Sequence, residues 1–110
     1  MRTLTIVLLA MLSILYFPCK TAAQDGKTIY EKRCKTCHGV DSKGSASVAK
    51  MTKVDPSMLD LTTDKNKKRT DADLIEIVRK GQGKMKPIPK DKLSDDDLKM
   101  VISHIRTFHK

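Results

Sequence analysis

Cys34-Lys35-Thr36-Cys37-His38 decides how this chain is read. Two thiols separated by two residues, with an imidazole next in line, form the C-x-x-C-H pattern of covalent haem attachment. The spacing has a physical basis. Both sulfurs can reach the two vinyl groups on one side of a porphyrin, and the following residue then lies beneath the iron. Cys34 and Cys37 are thus candidate thioether positions, and His38 is the candidate proximal ligand. Other readings share the cysteine pair. A zinc site could recruit His104 and His109, although the interval back to Cys37 far exceeds that of a zinc finger. A redox dithiol of the thioredoxin kind calls for strands around the motif. A plain disulfide would leave His38 a bystander.

Upstream of the motif, Met1-Arg2 is a short positive start and Leu4 to Phe17 is almost wholly apolar. Thr21-Ala22-Ala23 then supplies the small residues of a signal-peptidase site. The apolar run falls short of the ~20 residues a transmembrane helix needs. Residues 1–23 therefore read as a signal peptide and residues 24–110 as one exported, periplasmic domain. An uncleaved anchor is the alternative, as is lipidation at Cys19; either would hold the domain at a membrane.

Composition supports a missing apolar partner. The chain has 110 residues, 2 Tyr, 2 Phe and no Trp. Tyr16 and Phe17 fall in the leader, so Tyr30 and Phe108 are the only rings left to the domain. Domains this small commonly rely on disulfides, metals or cofactors to complete their interior. The formal net charge of +9 drops by two when Arg2 and Lys20 leave.

Downstream, helices alternate with polar loops, and the class is all-α. Gly26 opens a short helix carrying Ile29 and Tyr30 into Cys34. Gly39 to Lys53 is rich in Gly, Ser and Lys and reads as loop; Asp55-Pro56-Ser57 can start a brief helical turn with Met58 and Leu59. Thr70 is a candidate N-cap, with Asp71 and Asp73 in the first turn where the helix dipole favours acids. Leu74, Ile75, Ile77 and Val78 supply that helix's inner face, and Gly81 suits a left-handed C′ position. Ser94 caps a last helix, in which Leu98, Val101, Ile102, Ile105 and Phe108 form one apolar stripe.

A haem iron has a second face. Met85, on the loop Gly81-Gln82-Gly83-Lys84-Met85-Lys86-Pro87, is the candidate distal ligand, because a loop braced by Gly and Pro can set a thioether over the ring. Ordinary gap-filling is the competing role. Met100 is a weaker candidate that the helical pattern assigns to surface, and Met51 and Met58 are expected to pack against porphyrin. His104 and His109 are expected on the polar side of the last helix.

At this point the sequence resembles the class I monohaem cytochromes c. The resemblance rests on Gly26-Lys27-Thr28-Ile29-Tyr30-Glu31-Lys32 before Cys34, Gly39 after His38, the Gly83-Lys84-Met85 loop, and Lys92-Leu93-Ser94-Asp95 opening the last helix. It implies a cytochrome c fold of three to five helices around one covalent haem c. It also implies that Gly26 and Tyr30 pack across the last helix near Ile105 and Phe108. With His38 and Met85 both bound, the iron is six-coordinate. That suits a one-electron carrier rather than an enzyme, and a thioether ligand raises the potential. Two departures stand out. Lys86 intervenes between Met85 and Pro87, and no Pro lies within Gly39–Lys50 to offer its carbonyl to His38. Some other carbonyl there must orient the imidazole.

Lys35 lies within the haem motif, and Lys84, Lys86 and Lys90 flank the Met85 loop, around the expected haem edge. They can steer encounter with acidic surfaces on a reductase, dehydrogenase or terminal oxidase, or serve solubility alone. Lys65-Asn66-Lys67-Lys68-Arg69 reads as a solvated loop; acids on either side and the shortage of aromatic rings argue against nucleic acid. Rivals from other classes are a haem enzyme or gas sensor with an open sixth position, and a fixed subunit of a larger oxidase or dehydrogenase.

Overall fold

The computed structural model describes residues 25–110. The leader assigned to residues 1–23, and Cys19 within it, lie outside the described residues. Six α-helices follow in order: α1 (Gly26–Arg33), α2 (Lys35–His38), α3 (Ala46–Thr52), α4 (Asp64–Lys68), α5 (Asp71–Lys80) and α6 (Asp95–Arg106). A 3-10 turn, Pro56–Met58, sits between α3 and α4. There is no strand among the described residues, only an isolated antiparallel bridge between Gln82 and Met85.

Side-chain caps define where these helices begin. The side chains of Asp25, Ser45, Thr63, Thr70 and Ser94 each accept a backbone N–H in the first turn of α1, α3, α4, α5 and α6. At α5, Asp73 returns the bond to the Thr70 N–H and completes a capping box. Caps matter most for α3 and α4. These have seven and five residues, too short for helices of that kind to persist unaided.

The core lies where α1 crosses α6. Ile29, Tyr30, Leu93, Leu98, Val101 and Ile102 form one buried cluster, which Leu74, Ile75 and Val78 of α5 cover from another side. Leu93 and Leu98 occupy positions N′ and N4 around the Ser94 cap, the arrangement of a hydrophobic staple. At the crossing itself, any Cβ on Gly26 would overlap the Met100 carbonyl. Glycine is required there by the approach of two backbones.

The all-α class stands, with differences in detail. Six α-helices lie among the described residues rather than three to five, because short capped helices form inside stretches that read as loop. α3 occupies part of Gly39–Lys53, and α4 takes up most of Lys65–Arg69. Gly26 meets α6 at Met100 and Val101, about one turn before Ile105, although Tyr30 does reach His104 beside it. Ile77 is not part of the core cluster; with Arg69, Asp73 and Glu76 it lines a shallow depression of about 300 Å³. Met100 is half-buried against the core rather than solvated.

Candidate haem-attachment site

Cys34 is both the C-cap of α1 and the N-cap of α2, so the cysteine pair sits at a helix-to-helix joint. The backbone then folds back on itself. Gly44 N–H donates to the His38 carbonyl at 2.7 Å, and Ser45 N–H to the Cys37 carbonyl at 2.9 Å. Gly39, at φ +79°, makes the reversal; there a Cβ would also crowd the Gly44 carbonyl at 3.0 Å.

Tyr30 and Ser42 pin this loop to the core. The fully buried Tyr30 donates its hydroxyl to the Gly39 carbonyl at 2.6 Å and accepts from Ser42 Oγ at 3.0 Å. Burial raises the Tyr30 pKa, so the ring keeps the proton that it donates. Ser42 is itself fully buried and adopts φ +63°. Its carbonyl accepts from Leu61 N–H at 2.8 Å, joining the motif loop to the segment that passes under His38.

That segment orients the imidazole. His38 Nδ1 lies 2.9 Å from the Leu59 carbonyl. A carbonyl can only accept, so Nδ1 carries the hydrogen and Nε2 is left with a free lone pair. Burial lowers the His38 pKa, with the Leu59 bond opposing it; the neutral form, the one able to ligate a metal, is favoured. The carbonyl that replaces the missing proline's lies at Leu59, beyond the Gly39–Lys50 stretch where the sequence placed it.

The thiols differ. Cys37 is exposed and Cys34 is half-buried. Burial pushes the Cys34 thiol up to about 11, against the opposing pull of Arg33. A redox dithiol needs the reverse, a thiol lowered toward neutrality. Val40, Met51 and Met58 are 62%, 75% and 65% exposed, unusually open for large apolar side chains. Val40 follows His38 by two residues, Met58 adjoins Leu59, and α3 with Met51 packs against the Pro56–Met58 turn. Uncovered apolar surface is thus concentrated in the segments that hold His38. A flat apolar group bonded at Cys34 and Cys37 would cover such surface, so the residues present fit haem.

Met85 is held by other means. Gln82 N–H donates to the Met85 carbonyl at 3.1 Å and Met85 N–H to the Gln82 carbonyl at 2.9 Å. Gly83 takes φ +56° between them, the pattern of a tight hairpin turn. Gly81 ends α5 at φ +76° with an extended ψ of 169°, not in the left-handed helical region. A Cβ there would come within 2.6 Å of the Met85 carbonyl and 2.9 Å of Pro87 Cδ. The inserted Lys86 therefore leaves Pro87 packed on Gly81, and Met85 half-buried at the end of its turn.

His104 and His109 are engaged elsewhere. His104 packs between Tyr30 and Phe108, tilted against the first and edge-on to the second, each ring centroid at 5.2 Å, rather than facing solvent. His109 Nε2 donates to the Leu61 carbonyl at 2.8 Å. Among the described residues no three His, Cys, Asp or Glu side chains converge as a metal site. Sequence reading missed the Leu59 carbonyl, Ser42 and Arg79, whose guanidinium binds the Ile88 and Leu93 carbonyls at 3.1 and 2.7 Å.

Comparison with known proteins follows the same line. Residues 21–105 match the family described as cytochrome c oxidase, cbb3-type, subunit III. The fold is similar to the solved structure of the KustC0563 c-type cytochrome, with 27% sequence identity and a TM-score of 0.61 over 79% of this chain and 100% of that one. No curated protein matches the chain.

Proposed function

Because the chain belongs to the cytochrome c oxidase, cbb3-type, subunit III family of c-type cytochromes, we propose that it carries single electrons through a haem ligated by His38 and Met85. Haem c is the covalent cofactor and electron transfer the activity. When bound, the haem supplies a reversible one-electron couple between ferric and ferrous iron. Cys34 and Cys37 hold it through thioethers, at the sequence's one C-x-x-C-H.

The observation that carries the reading is the His38–Leu59 hydrogen bond of 2.9 Å. It fixes the tautomer and the ring orientation, so Nε2 is presented ready to ligate without reorganisation. Met85 offers the matching soft donor from a turn whose backbone bonds are already made. Two strong-field donors that both stay in place keep the structural change on electron transfer small. The test is Met85→Ala in the haem-loaded protein. The weak far-red band of sulfur-bound ferric haem should vanish and carbon monoxide should bind the reduced form readily. A band that survives the substitution removes Met85 from the reading.

Lys35, Lys84 and Lys86 are exposed and supply the positive rim that steers acidic redox partners. Lys90 contributes less, since its ammonium pairs with Asp95 at 3.2 Å. Transfer rates to the partner should fall as salt rises. Residues 1–23 act as the export signal into the periplasm, and N-terminal sequencing of the mature protein should begin at Gln24. The family match also favours a second arrangement, a chain fixed within an oxidase. Co-purification at constant stoichiometry distinguishes that from a free shuttle.

A further inference from the structure

Arg79 is a largely buried cation whose work the proposed electron transfer has not used. Its side chain is 15% exposed. Nη1 donates to the Ile88 carbonyl at 3.1 Å and the Leu93 carbonyl at 2.7 Å, while Nη2 donates to Asp95 Oδ1 at 2.6 Å. Nε is buried without a hydrogen-bond partner in the protein. Only the terminal nitrogens hold the fork, and they span three acceptors spread from Ile88 to Asp95.

Those acceptors bracket the far end of the Met85 loop. The loop leaves α5 at Gly81 and returns at Ile88, whose N–H donates to the Val78 carbonyl at 2.9 Å. Ile88 is thus gripped on both sides of its backbone, by Val78 through its N–H and by Arg79 through its carbonyl. Adjacent residues of one helix close the base of the loop. From the same guanidinium, bonds to Leu93 and Asp95 fix the entry to α6. Without the guanidinium the Ile88 and Leu93 carbonyls lose charge-assisted donors, and among the described residues nothing else donates to the Ile88 carbonyl.

We infer that Arg79 is the positioning residue for the distal ligand: it clamps the base of the Gly81–Ile88 loop and so sets where Met85 presents its sulfur. The inference rests on the reading of Met85 as the distal donor. Lysine cannot replace the fork, because an ammonium is a point donor on a flexible stem and arginine presents several N–H groups in a rigid plane.

The experiment uses haem-loaded protein carrying Arg79→Gln, Arg79→Lys, Met85→Ala or Arg106→Gln. Arg106 is the control. It also donates to a backbone carbonyl, that of Arg69 at 2.7 Å, and pairs with Asp71 at 2.8 Å, but on a part of the fold that does not close the Met85 loop. Loss of charge-assisted bonds of this kind should shift the population toward the methionine-free form by about tenfold or more. In Arg79→Gln the sulfur band weakens and carbon monoxide association with the reduced protein rises by about that factor. Arg79→Lys shows the same change to a lesser degree. Arg106→Gln lowers the melting temperature with the band intact. An unchanged band in Arg79→Gln, or in Arg79→Lys should the first variant not retain haem, overturns the inference. Equal loss of the band in Arg106→Gln also overturns it, by showing general destabilisation. If Met85→Ala keeps the native band, it is the ligand assignment that fails, and the clamp with it.

Discussion

The segment around His38 is tied to the fold through side chains buried in the core, whereas the turn around Met85 is tied through its own backbone and one guanidinium. Tyr30 and Ser42 are both fully buried and both bonded into the motif loop. Disturbing that side therefore disturbs the α1–α6 interior itself. The Met85 turn reaches the interior only at its base, where Val78 and Ile88 pack against the core. Its bonds run between Gln82 and Met85, and its base is closed at Val78 and Arg79. A protein built this way should lose stability when one axial region is damaged and lose ligation when the other is.

The largest expected effect follows from Tyr30→Ala, which empties the core beneath the motif loop and should cost about 3–5 kcal/mol. Thermal denaturation measures it. Tyr30→Phe keeps the ring and leaves the Gly39 carbonyl without its donor, so a cost of about 1–3 kcal/mol is expected by the same measurement. Next comes Gly81→Ala. The positive φ and the crowding against the Met85 carbonyl should cost about 1–3 kcal/mol, yet its signature should be a changed sulfur band, which absorption spectra report. If Gly81→Ala lowered the melting temperature as far as Tyr30→Ala with the band unaltered, the contrast between the two regions would collapse. Ser42→Ala sharpens it from the other side. About 1 kcal/mol should go, with no change in the sulfur band.

The smallest effect concerns acid. Arg79, and then Lys90, hold the Asp95 carboxyl below its usual range. A carboxylate with a depressed folded-state pKa stabilises the fold above its ordinary value of 3.8 and loses that contribution as pH falls through the folded-state value. Asp95 is exposed, so the slope should be shallow. Melting temperatures recorded down an acid series should fall less steeply for Asp95→Asn than for the parent chain.

Much of this was legible in the residues and some was not, for identifiable reasons. α5 and α6 carry long apolar periods and strong caps, and Thr70 and Ser94 begin them where the sequence indicated. α3 has no such period. Only Ala49 of it is buried, and it forms because Ser45 caps it, which composition does not reveal. That Cys34, Cys37 and His38 share one turn was readable from spacing alone. The Leu59 carbonyl was not, because every residue carries a carbonyl and only the folded path selects one. The role of Arg79 is equally silent in the sequence: its acceptors are mainly backbone oxygens, which leave no mark there. The helical pattern puts His104 on a polar face, but contact with Tyr30 and Phe108 overrides it.

The crossing of α1 over α6, with Gly26 set against the Met100 carbonyl, also has a temporal consequence. Docking there closes a loop spanning most of the described chain, and contacts so distant in sequence form slowly. Cys34, at the downstream end of α1, is half-buried against the core in the folded chain, so it is more open until residues 95–106 arrive. Chemistry at that thiol has an interval in which to finish before the architecture closes around its product.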